Sequence, residues 1–380
     1  MNKVIIIIIL AGLVAGGCKE KFVSPALPVV SGYLVIEGVA NDGGAVTRIK
    51  LSRTTSLNNK AAVKETGANV KIEGSNNLSF SLVESTQGNY TIDNLHLDPA
   101  IKYRLSVKTG SEEYLSDFVN IRPNPPIDSI NWVRENDGVN IFVNTHNAQN
   151  NSRYYQWEYD ETWEFHSVYD AILKYGKDPG NPNGGVIYRD FTDRQIYKCW
   201  QSNPSSTILL GSSAKLSQDI IHLPIINIPP ASWKLSVLYS VFVKQYAWSK
   251  EGYEFLERMK KNTEAVGSIF DPQPSELNGN IHCVSDPGRP VIGFFNICTI
   301  REQRIWIYNS QVPGWNYSFE CPLIIIENHK DSIAVKGGGK LPVGPEKISP
   351  FGKIETFFAG GNECVDCTLR GTNVKPIFWP

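Results

Sequence analysis

Ala68-Asn69-Val70-Lys71-Ile72 and Leu78-Ser79-Phe80-Ser81-Leu82 each alternate apolar with polar residues. Successive side chains of a strand point to opposite faces, so this period of two buries one face and wets the other. Reading outward, the pattern recurs. Upstream stand Tyr33-Leu34-Val35-Ile36-Glu37, the turn Asn41-Asp42-Gly43-Gly44 and an alternating run over 46–52. Downstream stand Gly88-Asn89-Tyr90-Thr91-Ile92, Lys102-Tyr103-Arg104-Leu105-Ser106-Val107 and a run over 114–121. No stretch of helical period interrupts them. Short strands separated by turn signals predict a β-sandwich over residues 31–123, immunoglobulin-like or transthyretin-like.

Arg122-Pro123-Asn124-Pro125-Pro126 ends this series. Proline cannot donate to a ladder, and a domain boundary is expected here. Residues 124–380 are expected to form a larger β-rich sandwich. Its strands begin at Ile127 and Gly138, and a long one follows from Tyr154 to Phe165. A strand over 239–248 places Tyr239, Val241, Val243 and Gln245 on one face, with Phe242 and Tyr246 on the other. Further strands fall near 290–295, 303–308 and 322–326. One helix is expected near 249–263. Ser249 suits its N-cap and Glu251 its first turn, where the helix dipole favours an anion. Tyr253, Leu256 and Met259 follow at helical spacing, and Gly267 suits its stop.

The chain has 380 residues, enough for two domains at roughly 100–200 residues each. Hydrophobic residues make up 41% and charged residues 20%, a globular balance. Lys+Arg total 37 against 38 Asp+Glu, so the net charge is -1 and no long basic run occurs. Phosphate affinity needs clustered positive charge, which argues against a nucleic-acid partner.

The N-terminus carries an address. Residues 1–17 read as a signal peptide, with Lys3 before an apolar stretch over 4–14 that is too short to span a bilayer. Ala15-Gly16-Gly17-Cys18 resembles a bacterial lipobox, in which the cysteine is acylated after cleavage. Cys18 is therefore the expected lipid anchor in the outer membrane, and residues 18–30, with Pro25 and Pro28, a lipidated tether. Lys19 stands where an inner-membrane retention signal has Asp. Lys19-Glu20-Lys21 faintly resembles surface-export signals, so display on the cell surface is an expectation.

Of the 7 cysteines, Cys18 is thus set apart. Cys199, Cys283, Cys298, Cys321, Cys364 and Cys367 remain as disulfide candidates in an oxidising compartment, with fifteen possible pairings. All six lie in the second half, so the first domain is expected to hold together by packing alone.

Few residues carry a chemical signature. Cys364-Val365-Asp366-Cys367 lies among glycines and reads as structural, not as a redox helix start. The glycines of 337–339 lack P-loop spacing, and neither H-E-x-x-H nor G-x-S-x-G occurs. The six histidines include no pair at ligand spacing. No cofactor and no metal are expected. The most suggestive run is Trp157 to His166. Trp157, Glu158, Asp160 and Trp163 are candidate ligand-binding residues, because paired carboxylates near indoles can bind sugars or hydrolyse them. A core strand with its aromatics inward is the plainer reading of the same run.

An ordered set of short motifs carries a resemblance. Tyr33-Leu34-Val35-Ile36-Glu37-Gly38, Gly88-Asn89-Tyr90, Ile127-Asp128-Ser129-Ile130 and Glu161-Thr162-Trp163-Glu164-Phe165 come first. Gln245-Tyr246, Gly252-Tyr253-Glu254-Phe255, Gly267-Ser268-Ile269-Phe270-Asp271-Pro272-Gln273-Pro274, Gly279-Asn280-Ile281 and Gly293-Phe294-Phe295 follow. The set resembles the DUF4249 lipoproteins of Bacteroidota along nearly the whole mature chain. The resemblance implies an outer-membrane lipoprotein associated with a TonB-dependent receptor, and it supplies no catalytic residue. The expected function is non-enzymatic: an accessory or substrate-capturing partner of such a transporter. The alternatives are a surface adhesion or glycan-binding module, and an envelope hydrolase using the acids of 158–164.

Overall fold

A computed structural model of the chain describes residues 32–55, 62–177, 185–193, 195–264 and 277–380. The signal peptide, Cys18, the tether and Gly267 lie outside them. The protein is mainly β, as the alternating patterns predict.

The first unit is a rolled sheet. From one edge its strands run Ile281–Cys283, Glu112–Ser116, Tyr103–Thr109, Asn69–Gly74, Ser79–Thr86, Asn89–Ile92, Thr47–Arg53, Leu34–Glu37 and Val291–Gly293, with Val63–Lys64 pairing Thr47–Arg53. Leu34, Ile36, Ile49, Val70, Ile72, Tyr90, Leu105 and Tyr114 fill its interior, as their alternate positions require.

Both outermost strands come from one distant segment. Ile281–Cys283 pairs antiparallel with Glu112–Ser116, and Val291–Gly293 pairs parallel with Leu34–Glu37. Further on, Ala40 and Asn41 pair with Ile297 and Cys298. The two ends of this segment also touch each other. Gly279 packs so closely that a Cβ there would collide with the Gly293 carbonyl oxygen. The Asn280 side chain accepts from Phe295 N at 2.7 Å and donates to Phe295 O at 3.0 Å. The expected boundary at 123/124 is therefore crossed, because residues 281–298 complete the first unit. An exposed sheet edge leaves unpaired N–H and C=O groups, and this segment covers two of them.

The second unit packs two sheets on one core. The larger runs Lys198–Pro204, Tyr154–His166, Leu238–Ala247, Arg301–Tyr308, with Leu209–Ser212 also on the long strand. The smaller runs Ile127–Glu135, Gly138–Asn147, Asp219–Ile228. Tyr155, Trp157, Val241 and Val243 of the first meet Val139, Ile141, Val143 and Ile228 of the second. The expected helix spans Lys250–Glu264, capped by Ser249, whose Oγ accepts from Gly252 N at 3.1 Å, and Phe255 and Leu256 join the core. A third sheet, Ile324–Glu327, Ile354–Gly361, Lys340–Ile348, closes around Phe357 and Ile326.

Cysteine pairing is settled for four residues. Cys199 bonds Cys367, and Cys321 bonds Cys364. Cys364 and Cys367 thus belong to two different bridges. Cys283 and Cys298 are unpaired and buried, which corrects their candidacy as disulfide partners. Cys283 also corrects the expectation that all six cysteines serve the second domain, since it packs in the first unit's core.

A buried amide ties the proline linker to the main sheet. Gln245 is 0% exposed. Its Oε1 accepts from Trp157 Nε1 at 2.9 Å, and its Nε2 donates to Asn124 Oδ1 and the Pro125 carbonyl at 3.1 and 2.9 Å. Asn124 in turn donates to the carbonyls of Gln245 and Thr299, both at 2.8 Å. A prolyl segment offers few N–H donors, so side-chain amides supply the missing bonds.

Candidate functional site

Strand parity divides the acidic run. On Tyr154–His166, the side chains of 155, 157, 161, 163 and 165 are buried in the core, and 156, 158 and 160 face outward. Across the sheet, Glu158 pairs with Lys244 and Asp160 with Phe242. One strand further, Lys244 pairs with Glu302 and Phe242 with Arg304. Same-face neighbours on adjacent strands lie within side-chain reach, so charged and aromatic groups form one outer surface.

A cleft of about 280 Å³ opens on this surface, lined by Gln156, Glu158, Asp160, Lys244 and the loop Ser205-Ser206-Thr207. Ser205 N donates to the Tyr159 carbonyl at 2.7 Å, and Tyr159 N donates to Ser205 Oγ at 3.1 Å, which fixes the loop against the strand. Glu158 Oε2 accepts from the Tyr246 hydroxyl at 2.8 Å. Burial, then the Glu158 charge, push the Tyr246 phenol far above its usual value, so it stays a donor to that carboxylate. Lys244 Nζ lies 4.0 Å from Asp160.

Of the four candidates, the structure brings only Glu158 and Asp160 together in the cleft. Trp157 and Trp163 are 0% and 3% exposed and face the core, so neither offers a ring for sugar stacking. Trp163 instead packs edge-on against Trp233, under the Lys234 ammonium. The remaining acids are also elsewhere. Glu161 is buried against Lys234 Nζ and the Tyr239 hydroxyl, each at 2.7 Å. Glu164 accepts from Trp379 Nε1 at 3.0 Å and meets Lys198 and His166.

The cleft can hold a solute through two carboxylates, an amide, an ammonium and hydroxyls. Its carboxylates stand side by side on one strand face. Among the described residues, no three His, Cys, Asp or Glu side chains are placed to hold a metal ion. Sequence reasoning missed Gln156, Lys244 and the 205–207 loop. The alternation of 239–248 carried the signal for Lys244, and the Pro204-Ser205-Ser206 turn residues that for the loop.

Fold and cleft define a β-sheet protein of two interlocked units bearing an open polar recess. The chain belongs to the family described as Domain of unknown function (DUF4249), whose family model matches residues 20–304. No curated protein matches the chain. The match takes in the first unit, most of the second and every residue lining this cleft. It stops within Arg301–Tyr308, so the third sheet and one partner or both of each disulfide lie beyond it.

Proposed function

We propose that this protein is an outer-membrane lipoprotein, anchored through Cys18, that serves a TonB-dependent outer-membrane transporter as an accessory or substrate-capturing partner and performs no catalysis. The lipobox-like Ala15-Gly16-Gly17-Cys18 supports the anchor. One observation carries the capture role: the recess is open and its polar groups are held in place before any solute arrives, Glu158 by Tyr246 and the 205–207 loop by Tyr159. Preorganised polar groups in an accessible recess suit reversible holding. Co-purification from detergent-solubilised membranes tests the reading. Wild-type protein is expected in the membrane fraction together with an outer-membrane receptor, and Cys18→Ala in the soluble fraction without it. Recovery of wild-type protein with no receptor rejects the partnership.

A second reading, a glycan-binding module that acts without a transporter, is favoured by the cleft's hydrogen-bonding set of Gln156, Glu158, Asp160 and Lys244. A glycan array separates the two, since only this reading expects a sugar signal that is lost in Glu158→Gln.

A further inference from the structure

A second cleft lies where the proline linker crosses between the units. Its volume is about 570 Å³, within the range of small-molecule sites at domain interfaces. Its walls are contributed by Pro99 and Ile121 of the first unit, the linker prolines, and the 146–151 turn of the second. Proline rings lose little freedom on binding, so these walls are rigid before a ligand enters.

Two arginines are among its lining residues, Arg122 and Arg301. Arg301 Nε donates to the Asn124 carbonyl at 3.0 Å. Asn124 is the residue that Gln245 holds in the buried amide relay. Arg301 is thereby positioned from the core outward, and its two terminal nitrogens make no hydrogen bond to a described residue. The Arg122 side chain makes none either. Its main chain is pinned by Arg122 N donating to the Ile297 carbonyl at 2.8 Å, and its charge is felt by Glu251 at the helix start. The acid lining the cleft, Asp128, is already engaged by His146 Nδ1 at 2.7 Å.

We propose that this junction cleft binds a small organic carboxylate, with Arg122 and Arg301 on the carboxylate and the apolar body between Ile121 and the prolines. A guanidinium offers planar paired donors that match a carboxylate's two oxygens. A bare inorganic anion would satisfy the arginines and leave the apolar wall unused. The assignment is independent of the anchor and of the cleft at Glu158, because it rests on a different set of residues.

Calorimetric titration of the full chain with straight-chain carboxylates from acetate to octanoate, and with 4-phenylbutyrate, tests it. Saturable binding is expected to strengthen with chain length. It is expected to weaken about ten- to hundredfold in Arg122→Gln, the loss of one charge-assisted hydrogen bond. The amide of 4-phenylbutyrate is expected to bind at least about tenfold more weakly than the acid. Arg301→Lys keeps the charge without the fork and is expected to lose affinity too, while a thermal melt matching wild type shows that the fold is kept. The proposal is overturned if no carboxylate binds saturably, if acid and amide bind alike, if inorganic phosphate binds as well as octanoate, or if folded Arg122→Gln binds like wild type.

Discussion

Glu164 shows how one carboxylate can be made to hold a chain end. Burial alone would raise its pKa. Donation from His166, Lys198 and Trp379 outweighs that and holds the carboxyl at about 2, against an ordinary value of 4.5. The folded value is the lower one. The network therefore contributes its full stability above about pH 4.5 and loses it as pH falls towards about 2. Glu164→Gln is expected to lower the urea midpoint at pH 7 and to flatten its decline below pH 4.5. A variant whose acid limb parallels wild type would refute the assignment. In the sequence Glu164 was legible only as the last acid of the 158–164 run. Its partner Trp379 was not legible, because it lies 215 residues away and no local pattern encodes a distant contact. The inward use of Trp157 and Trp163 is the plainer of the two readings that the sequence offered, and spacing alone could not choose, because indoles on a buried face and indoles around a sugar have the same period.

At the scale of elements, most strands were legible from period two alone, and the helix from its cap and spacing. The strands Lys198–Pro204, Leu209–Ser212, Asp219–Ile228, Lys340–Ile348 and Ile354–Gly361 were among those missed. Asp219–Ile228 contains Pro224 and the apolar run Pro224-Ile225-Ile226, which breaks alternation, and its ladder shifts register beside Pro224. Pairing partners were the larger gap. A two-residue pairing such as Ala40-Asn41 with Ile297-Cys298 carries no signal in its own composition. Here the motifs that carried the family resemblance find a physical meaning. Asn280 clamps Phe295, Gly279 admits the Gly293 carbonyl, and Gln245 anchors the linker. These three residues are fastenings of the fold. A fragment of residues 32–123 lacks both closing strands and exposes the core faces of Leu34 and Tyr114. It is expected to show no cooperative thermal transition by circular dichroism, whereas the full chain does. A sharp transition in the fragment would show that the closing segment is dispensable.

For the whole molecule, the long bridge Cys199–Cys367 spans 168 residues and the short one, Cys321–Cys364, spans 43. The longer loop restricts the unfolded chain more. Replacing Cys199 and Cys367 by serine is expected to cost about 2–5 kcal/mol, and more than the same change at the other pair. Guanidinium titrations of the two double variants give the comparison, and the reverse order would contradict it. The direction of the strand Leu34–Glu37 has a consequence of another kind. The chain enters it beside Arg53, whose guanidinium donates to the Gly32 carbonyl at 3.0 Å, and leaves towards Ala40-Asn41, where the closing segment and the linker meet. On the proposed anchor, the entry end of this strand is the end nearer Cys18 along the chain, and its exit end carries the contacts to the closing segment and the linker.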